Sequence, residues 1–240
     1  MKISKLSIVV PVYNEGKKIQ DVLHNVCALE LIHGIDKEII VINDCSTDCS
    51  GEEIDQFKEA NPDYHIVVFH QKINKGKGAA IHKGIAAATG DYFIIQDGDL
   101  ELKPSDINIL LEAAIDRNFD IVYGSRFLEK THQNTSFVWH ILGNGFLTKL
   151  SNLFSGYKLT DMMTCYKLIP TSVIKSIVLK ENRFGFEPEI TMKLSKNKNL
   201  SITEVPISYN ARSKVEGKKI NSGDGLRVIY CILKYKFARK

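Results

Sequence analysis

Short apolar runs alternate with helical segments along the first half of the chain, and that alternation most constrains what it can fold into. Leu6 to Val12, Glu38 to Ile42, His65 to Phe69, Tyr92 to Ile95 and Asp120 to Tyr123 read as strands. Between them lie Gly16 to Ala28, with Ile19, Val22, Leu23 and Val26 on one face, a turn and helix over Ser46 to Ala60, and a small-residue helix over Gly76 to Ala88. Pro104 opens another helix that runs to about Arg117. Strands that are nearly continuous in apolar character belong to a parallel sheet covered by helices on both faces. Such sheets bind ligands outside the carboxyl ends of their strands.

Polar residues gather at those ends. The first strand runs into Tyr13-Asn14-Glu15, the second into Asn43-Asp44-Cys45-Ser46-Thr47-Asp48, and the fourth into Gln96-Asp97-Gly98-Asp99-Leu100-Glu101. The fifth runs into Gly124-Ser125-Arg126-Phe127. A polar-ligand crevice needs this pattern of apolar strands with a charged rim.

Asp97-Gly98-Asp99 is the sharpest element. Two carboxylates one residue apart repel unless a cation compensates them. An oxygen-only set suits Mg²⁺ or Mn²⁺ shared with a diphosphate; the competing reading is a solvated acidic turn. Asn74-Lys75-Gly76-Lys77-Gly78-Ala79-Ala80 opens a helix with glycines and lysines, which reads either as a phosphate site or as a basic helix cap. It is neither GxxxxGK[ST] nor GxGxxG, which disfavours P-loop ATPases and Rossmann dehydrogenases. Arg126, Arg212, Lys218 and Lys219 are candidates for neutralising phosphate.

The second half differs. Ser136 to Phe154 is a helical stretch dense in Phe, Trp and Leu, broken near Gly143-Asn144-Gly145, whose apolar face suits either core packing or lipid. Glu204 to Tyr209 reads as a late strand. Gly225 to Lys240 is an amphipathic, basic helix that suits an anionic membrane surface or a docked tail. No run approaches the roughly 20 apolar residues of a membrane span, and the N-terminus lacks a signal-peptide pattern. The expectation is a soluble or peripheral protein, cytoplasmic or at the inner face of the membrane. One domain is expected over 1–240, with a nucleotide-sugar part at 1–130 and an acceptor-side part at 131–240. Five irregularly spaced cysteines read as reduced thiols, not as a zinc set. The net charge of +4 gives little support to nucleic-acid binding, and 44% hydrophobic residues argue against disorder.

Together these residues resemble glycosyltransferase family 2, and within it the dolichyl- or polyprenyl-phosphate mannose and glucose synthase branch. The likeness runs through the motifs above and on to Phe184-Gly185-Phe186-Glu187-Pro188-Glu189 and Glu204-Val205-Pro206-Ile207. It implies a GT-A, Rossmann-like fold with a mostly parallel sheet and a helical acceptor-side part. It implies an inverting hexosyltransferase using a GDP-mannose or UDP-glucose type donor. Pro11, Tyr13, Glu15 and Asp44 would hold the base and ribose, and Lys75 and Gly76 would lie beside the nucleotide. Asp97, Asp99 and Glu101 would bind Mg²⁺ or Mn²⁺, with Asp97 also beside the nucleotide. Arg126, Arg212 and Lys219 would neutralise phosphates.

Gly98 and Glu101 depart from the Ala and Gln common in relatives. The Q-x-x-R-W type motif of polysaccharide-extending relatives is absent: Val138 precedes Trp139. That favours a phosphate acceptor. A hydroxyl acceptor on a surface glycan would need a general base, for which Asp161, Glu187 and Glu189 are the candidates. A nucleotidyltransferase is disfavoured by Tyr13-Asn14-Glu15, which stands where a Gly-rich loop is needed. A non-catalytic sugar-nucleotide binder would be expected to lose one of Asp97, Asp99, Arg126 or Arg212.

Overall fold

A computed structural model describes residues 3–128, 138–211 and 222–238. Its strands and helices follow in the order β1 (Lys5–Val12), α1 (Lys18–Ala28), β2 (Asp36–Asn43), α2 (Ser50–Ala60), β3 (Ile66–His70), α3 (Lys77–Ala87) and β4 (Tyr92–Ile95). Then come α4 (Ile107–Ile115), β5 (Ile121–Ser125), α5 (Val138–Ser155), β6 (Lys167–Pro170), α6 (Thr171–Lys175), α7 (Phe186–Leu194), β7 (Ile202–Pro206) and α8 (Ser222–Phe237). Pro104 starts a short 3₁₀ turn, Pro104–Asp106, that leads into α4.

Among the described residues the sheet has seven strands in the order β3-β2-β1-β4-β6-β5-β7. The pairs β1–β2, β1–β4, β2–β3 and β5–β7 are parallel. β6 runs antiparallel between β4 and β5. Sequence reading finds the other strands, with the late strand set two residues earlier than expected, but not β6. The reason is local: β6 is Lys-Leu-Ile-Pro, and neither a lysine nor a proline marks a buried central strand.

Alternation along each strand divides the core. Leu6, Ile8, Val10, Ile39, Val41, Tyr92 and Ile94 face the layer built by α1, α2 and α4. Val9, Ile40, Ile42, Phe93 and Ile95 face the layer built by α3, α7 and α8. Both faces are therefore covered, as strands with no polar side require. The buried Glu38 carboxylate ties the amino ends of β1 and β2 to the turn before β4, through Ser7, Lys5 and Thr89. The order in which strands are added reverses at β1, with the parallel strands β2 and β3 on one side and β4 on the other. This is the crossover point where open α/β sheets bind ligands.

α8 packs against α5 and α7 through Val228, Cys231, Ile232 and Tyr235. Its opposite side carries Leu226 and Phe237, 73% and 71% exposed, with Tyr230 and Leu233 between them. The helix is thus docked on one side and apolar towards solvent on the other. No described helix is long and apolar enough to cross a membrane.

Candidate active site

The loop after β1 is latched to the loop after β2. Asn14, at φ 52°, accepts the Thr47 amide at 2.8 Å, and its own amide donates to Ser46 Oγ at 3.0 Å. The amides of Glu15 and Gly16 donate to Ser50 Oγ at 2.9 and 2.8 Å. These bonds fix the loop that carries Tyr13 and Glu15 directly after β1.

Asp44 is buried, and its carboxylate is committed. It accepts the amides of Lys75 and Gly76 at 2.9 and 2.7 Å and the Gln71 side-chain amide at 2.8 Å. The structure thus joins Asp44, Lys75 and Gly76, with Asp44 organising the loop from within.

That loop enters α3 against the 181–183 segment. Gly76 has φ +94°, and a Cβ there would stand 2.6 Å from the Asn182 carbonyl oxygen. A Cβ on Gly78 would stand 2.2 Å from the Glu181 carbonyl oxygen. The Ala79 amide donates to the Asn182 carbonyl at 3.1 Å. The first turn of α3 is therefore covered by chain, and its glycines serve that close approach. Gly78→Ala should lower stability by about 1–3 kcal/mol through overpacking against backbone. The check is thermal unfolding, with a fall in Tm of roughly 5 °C expected; an unchanged Tm would mean that the segment yields freely.

Asp97 and Asp99 follow β4, and a Cβ on Gly98 would stand 2.9 Å from the Pro11 carbonyl oxygen. This close approach ties the acidic loop to the end of β1. Asp97 Oδ1 receives the ammonium of Lys77, which also lies 3.0 Å from Cys165 Sγ. Burial acts to raise the Asp97 pKa, but Lys77 and the charge of Arg126 hold it below the usual carboxylate range. Burial likewise opposes the charge on Lys77, but Asp97 foremost, with Cys165 and Glu187, raises its pKa above the ordinary lysine value. Sequence reasoning named Lys75 as a site residue and missed Lys77. The missed signal is helical phase, because Lys77 is the first residue of α3 and Lys75 precedes it.

Behind this pair, Cys165 Sγ donates to Glu187 Oε1 at 3.5 Å, and the buried Lys167 ammonium takes Glu187 Oε2. Burial raises the Glu187 pKa despite Lys167. Glu189 is equally buried. It accepts the amides of Lys180 and Glu181 at 2.9 and 2.8 Å and the Lys193 ammonium at 2.6 Å.

Arg126 extends from the end of β5. Its Nε and a terminal nitrogen donate to both oxygens of Asp161, at 2.6 and 2.9 Å, and its guanidinium lies 5.1 Å from the centre of the Tyr209 ring. Asp161 is 0% exposed, and Asn144 also donates to it at 2.9 Å. Burial would raise the Asp161 pKa, but Arg126 and these hydrogen bonds lower it. Asp161 is thus the anchor of Arg126.

A divalent ion would be held by Asp97 and Asp99. The donor chemistry fits, since both supply hard oxygen atoms at the rim and Asp97 already attracts a cation. Tyr209 donates to Glu101 Oε2 at 3.1 Å, and among the described residues no three His, Cys, Asp or Glu side chains gather where one ion could touch them all. Arg212, Lys218 and Lys219 lie outside the described residues, as do residues 136 and 137 and Arg239 and Lys240.

The model of the family described as glycosyl transferase family 2 matches residues 7–178, spanning β1 to α6. The chain belongs to glycosyl transferase family 2. This family 2 enzyme is 28% identical over 238 residues to a dolichol-phosphate mannosyltransferase of Pyrococcus furiosus, covering 97% of this chain and 64% of that relative. It is 27% identical over 243 residues to a dolichyl-phosphate beta-glucosyltransferase of Trichomonas vaginalis, covering 95% of this chain and 72% of that one. The chain thus spans less than two thirds of the archaeal relative's length. Among solved structures it resembles glucosyl-3-phosphoglycerate synthase from Mycobacterium tuberculosis in complex with Mn²⁺, uridine diphosphate and phosphoglyceric acid. The TM-score is 0.70 at 16% identity, covering 99% of this chain and 80% of that one. The fold is accordingly of the GT-A type expected from sequence, with a mostly parallel sheet.

Proposed function

We propose that the enzyme moves a hexose from a GDP-mannose or UDP-glucose type donor to a polyprenyl or dolichyl phosphate, with inversion at the anomeric carbon. One observation carries the choice of acceptor. The carboxylates named as candidate bases are all spent inside the protein: Asp161 on Arg126, Glu187 on Lys167, Glu189 on Lys193 and backbone amides. A hydroxyl acceptor needs a base near its attacking oxygen, and a phosphate, already anionic, does not. The likeness to a dolichol-phosphate mannosyltransferase and a dolichyl-phosphate beta-glucosyltransferase supports the same acceptor class.

In this reading an acceptor phosphate oxygen bonds to the anomeric carbon as that carbon's bond to the donor diphosphate breaks. The electron pair leaves with the nucleoside diphosphate. Pro11, Tyr13 and Glu15 line the nucleotide side, where Asp44 shapes the loop carrying Lys75 and Gly76. Arg126, held flat by Asp161 and Tyr209, supplies positive charge to the phosphates, and Arg212 and Lys219 would add to it. Asp97 and Asp99 would hold Mg²⁺ or Mn²⁺, which when bound offsets charge on the departing diphosphate. The exposed apolar side of α8 suits a lipid acceptor met at the inner face of a membrane.

The test is nucleoside diphosphate release by the purified chain from UDP-glucose or GDP-mannose with Mg²⁺ or Mn²⁺. Each donor is assayed with and without polyprenyl phosphate in detergent. Release that requires the lipid phosphate and is lost on chelation is expected. Metal-dependent donor binding with release stimulated only by glycan hydroxyls would overturn the acceptor assignment.

A further inference from the structure

Lys77 is placed with little freedom except along its own side chain. Its backbone opens α3 immediately after Gly76, which is seated on the Asn182 carbonyl and held from below by Asp44. From there the ammonium reaches Asp97 Oδ1 and Cys165 Sγ. Deeper in the protein the other strong acceptor, Glu187, already has Lys167. The Lys77 and Asp97 side chains are 23% and 17% exposed, so the pair sits at the crevice surface and not sealed in the core. A resident cation therefore occupies one of the two carboxylates that a divalent ion would use.

We propose that Lys77 is the built-in counter-ion of Asp97 and exchanges that carboxylate for the donor's diphosphate, leaving Asp97 to a divalent cation, so that metal and nucleotide bind cooperatively. The role presupposes the nucleotide-diphosphate donor proposed above. A diphosphate is the chemistry that can draw a lysine from a carboxylate, because it offers several anionic oxygens at once. A long, flexible side chain on a fixed helix start suits such a short transfer. Coupling of this kind is reciprocal: whatever factor nucleotide adds to metal affinity, metal adds to nucleotide affinity.

The experiment measures Mn²⁺ binding by the full chain, from the electron paramagnetic resonance signal of free Mn²⁺, alone and with UDP or GDP. The wild-type protein should bind Mn²⁺ about tenfold more weakly alone than with the matching nucleotide. Lys77→Gln and Lys77→Met should each bind Mn²⁺ alone about tenfold more tightly than wild type, and nucleotide should then improve affinity by less than about threefold. Lys77→Arg, which keeps the charge, should retain the wild-type coupling. Neutral variants that fold but bind Mn²⁺ alone no more tightly than wild type overturn the proposal. So does wild-type protein whose Mn²⁺ affinity is the same with and without nucleotide, a result that needs no variant. Wild-type protein that binds no Mn²⁺ with either nucleotide overturns the donor-site reading itself, and with it this role, which separates the two failures.

Discussion

Asp97→Asn is expected to lower nucleoside diphosphate release by about 10³-fold or more, since it removes charge from the point where the leaving group is stabilised. The substitution keeps the shape of the side chain and one hydrogen-bond acceptor. It removes the anion that both Lys77 and a divalent ion would use. A hydrogen bond to a charged group contributes about 1.5–3 kcal/mol. The variant should therefore also unfold several degrees lower while remaining folded at assay temperature. Steady-state release with saturating Mn²⁺, read beside a melting curve, separates the two effects. Wild-type turnover with full metal dependence in this variant would remove Asp97 from the site.

Asp161→Asn carries the second large effect, and it distinguishes an anchor from a base. Asp161 is fully buried and bidentate to Arg126. Losing one partner of such a pair costs about 3–5 kcal/mol, so a fall in Tm on the order of 10 °C is expected. Catalytic efficiency should fall about 10²-fold as Arg126 loses its fixed position at the phosphates. The pH profile carries the distinction. The folded-state pKa of Asp161 is depressed, so the group stays ionised through neutral pH. Its contribution to stability is present above the unfolded-state value and is lost only as pH falls through the lower, folded one. The variant should therefore keep the shape of the wild-type rate profile near neutrality. Loss of an acid limb in the variant would instead make Asp161 the base and favour a hydroxyl acceptor.

The crevice was readable in the sequence because its parts stand at the ends of apolar runs. Pro11, Asp44, Asp97 and Arg126 each follow a stretch of buried Ile, Val or Tyr, and strand ends on one edge of a parallel sheet must meet. What the residues then do to one another was not readable. Asp44 reads as a ligand carboxylate, and its hold on two amides some thirty residues later in the chain leaves no mark in the local sequence. Asp161 looks like a base until Arg126, 35 residues earlier, closes on it. Lys167 is buried with its charge taken by Glu187, 20 residues later. Each assignment depends on a partner distant in sequence, which local pattern does not record. Strand β6 was hidden because Lys167 and Pro170 do not mark a buried strand, and its lysine becomes a core residue only in the folded protein.

Strand β6 also has a consequence for how the chain comes to be made. β4 is complete at Ile95, but the strand that covers its outer edge begins only at Lys167. About seventy residues must be synthesised in between, which at ordinary ribosomal speeds takes roughly 4–15 s. During that interval β1 to β4 can assemble with a bare row of amides and carbonyls along Tyr92–Ile95, the exposed edge that recruits other chains into aggregates. Slowing or truncating translation between these two strands should therefore harm solubility more than the same change made after Pro170. The hairpin-free insertion of one reversed strand leaves the nascent chain most vulnerable until β6 emerges.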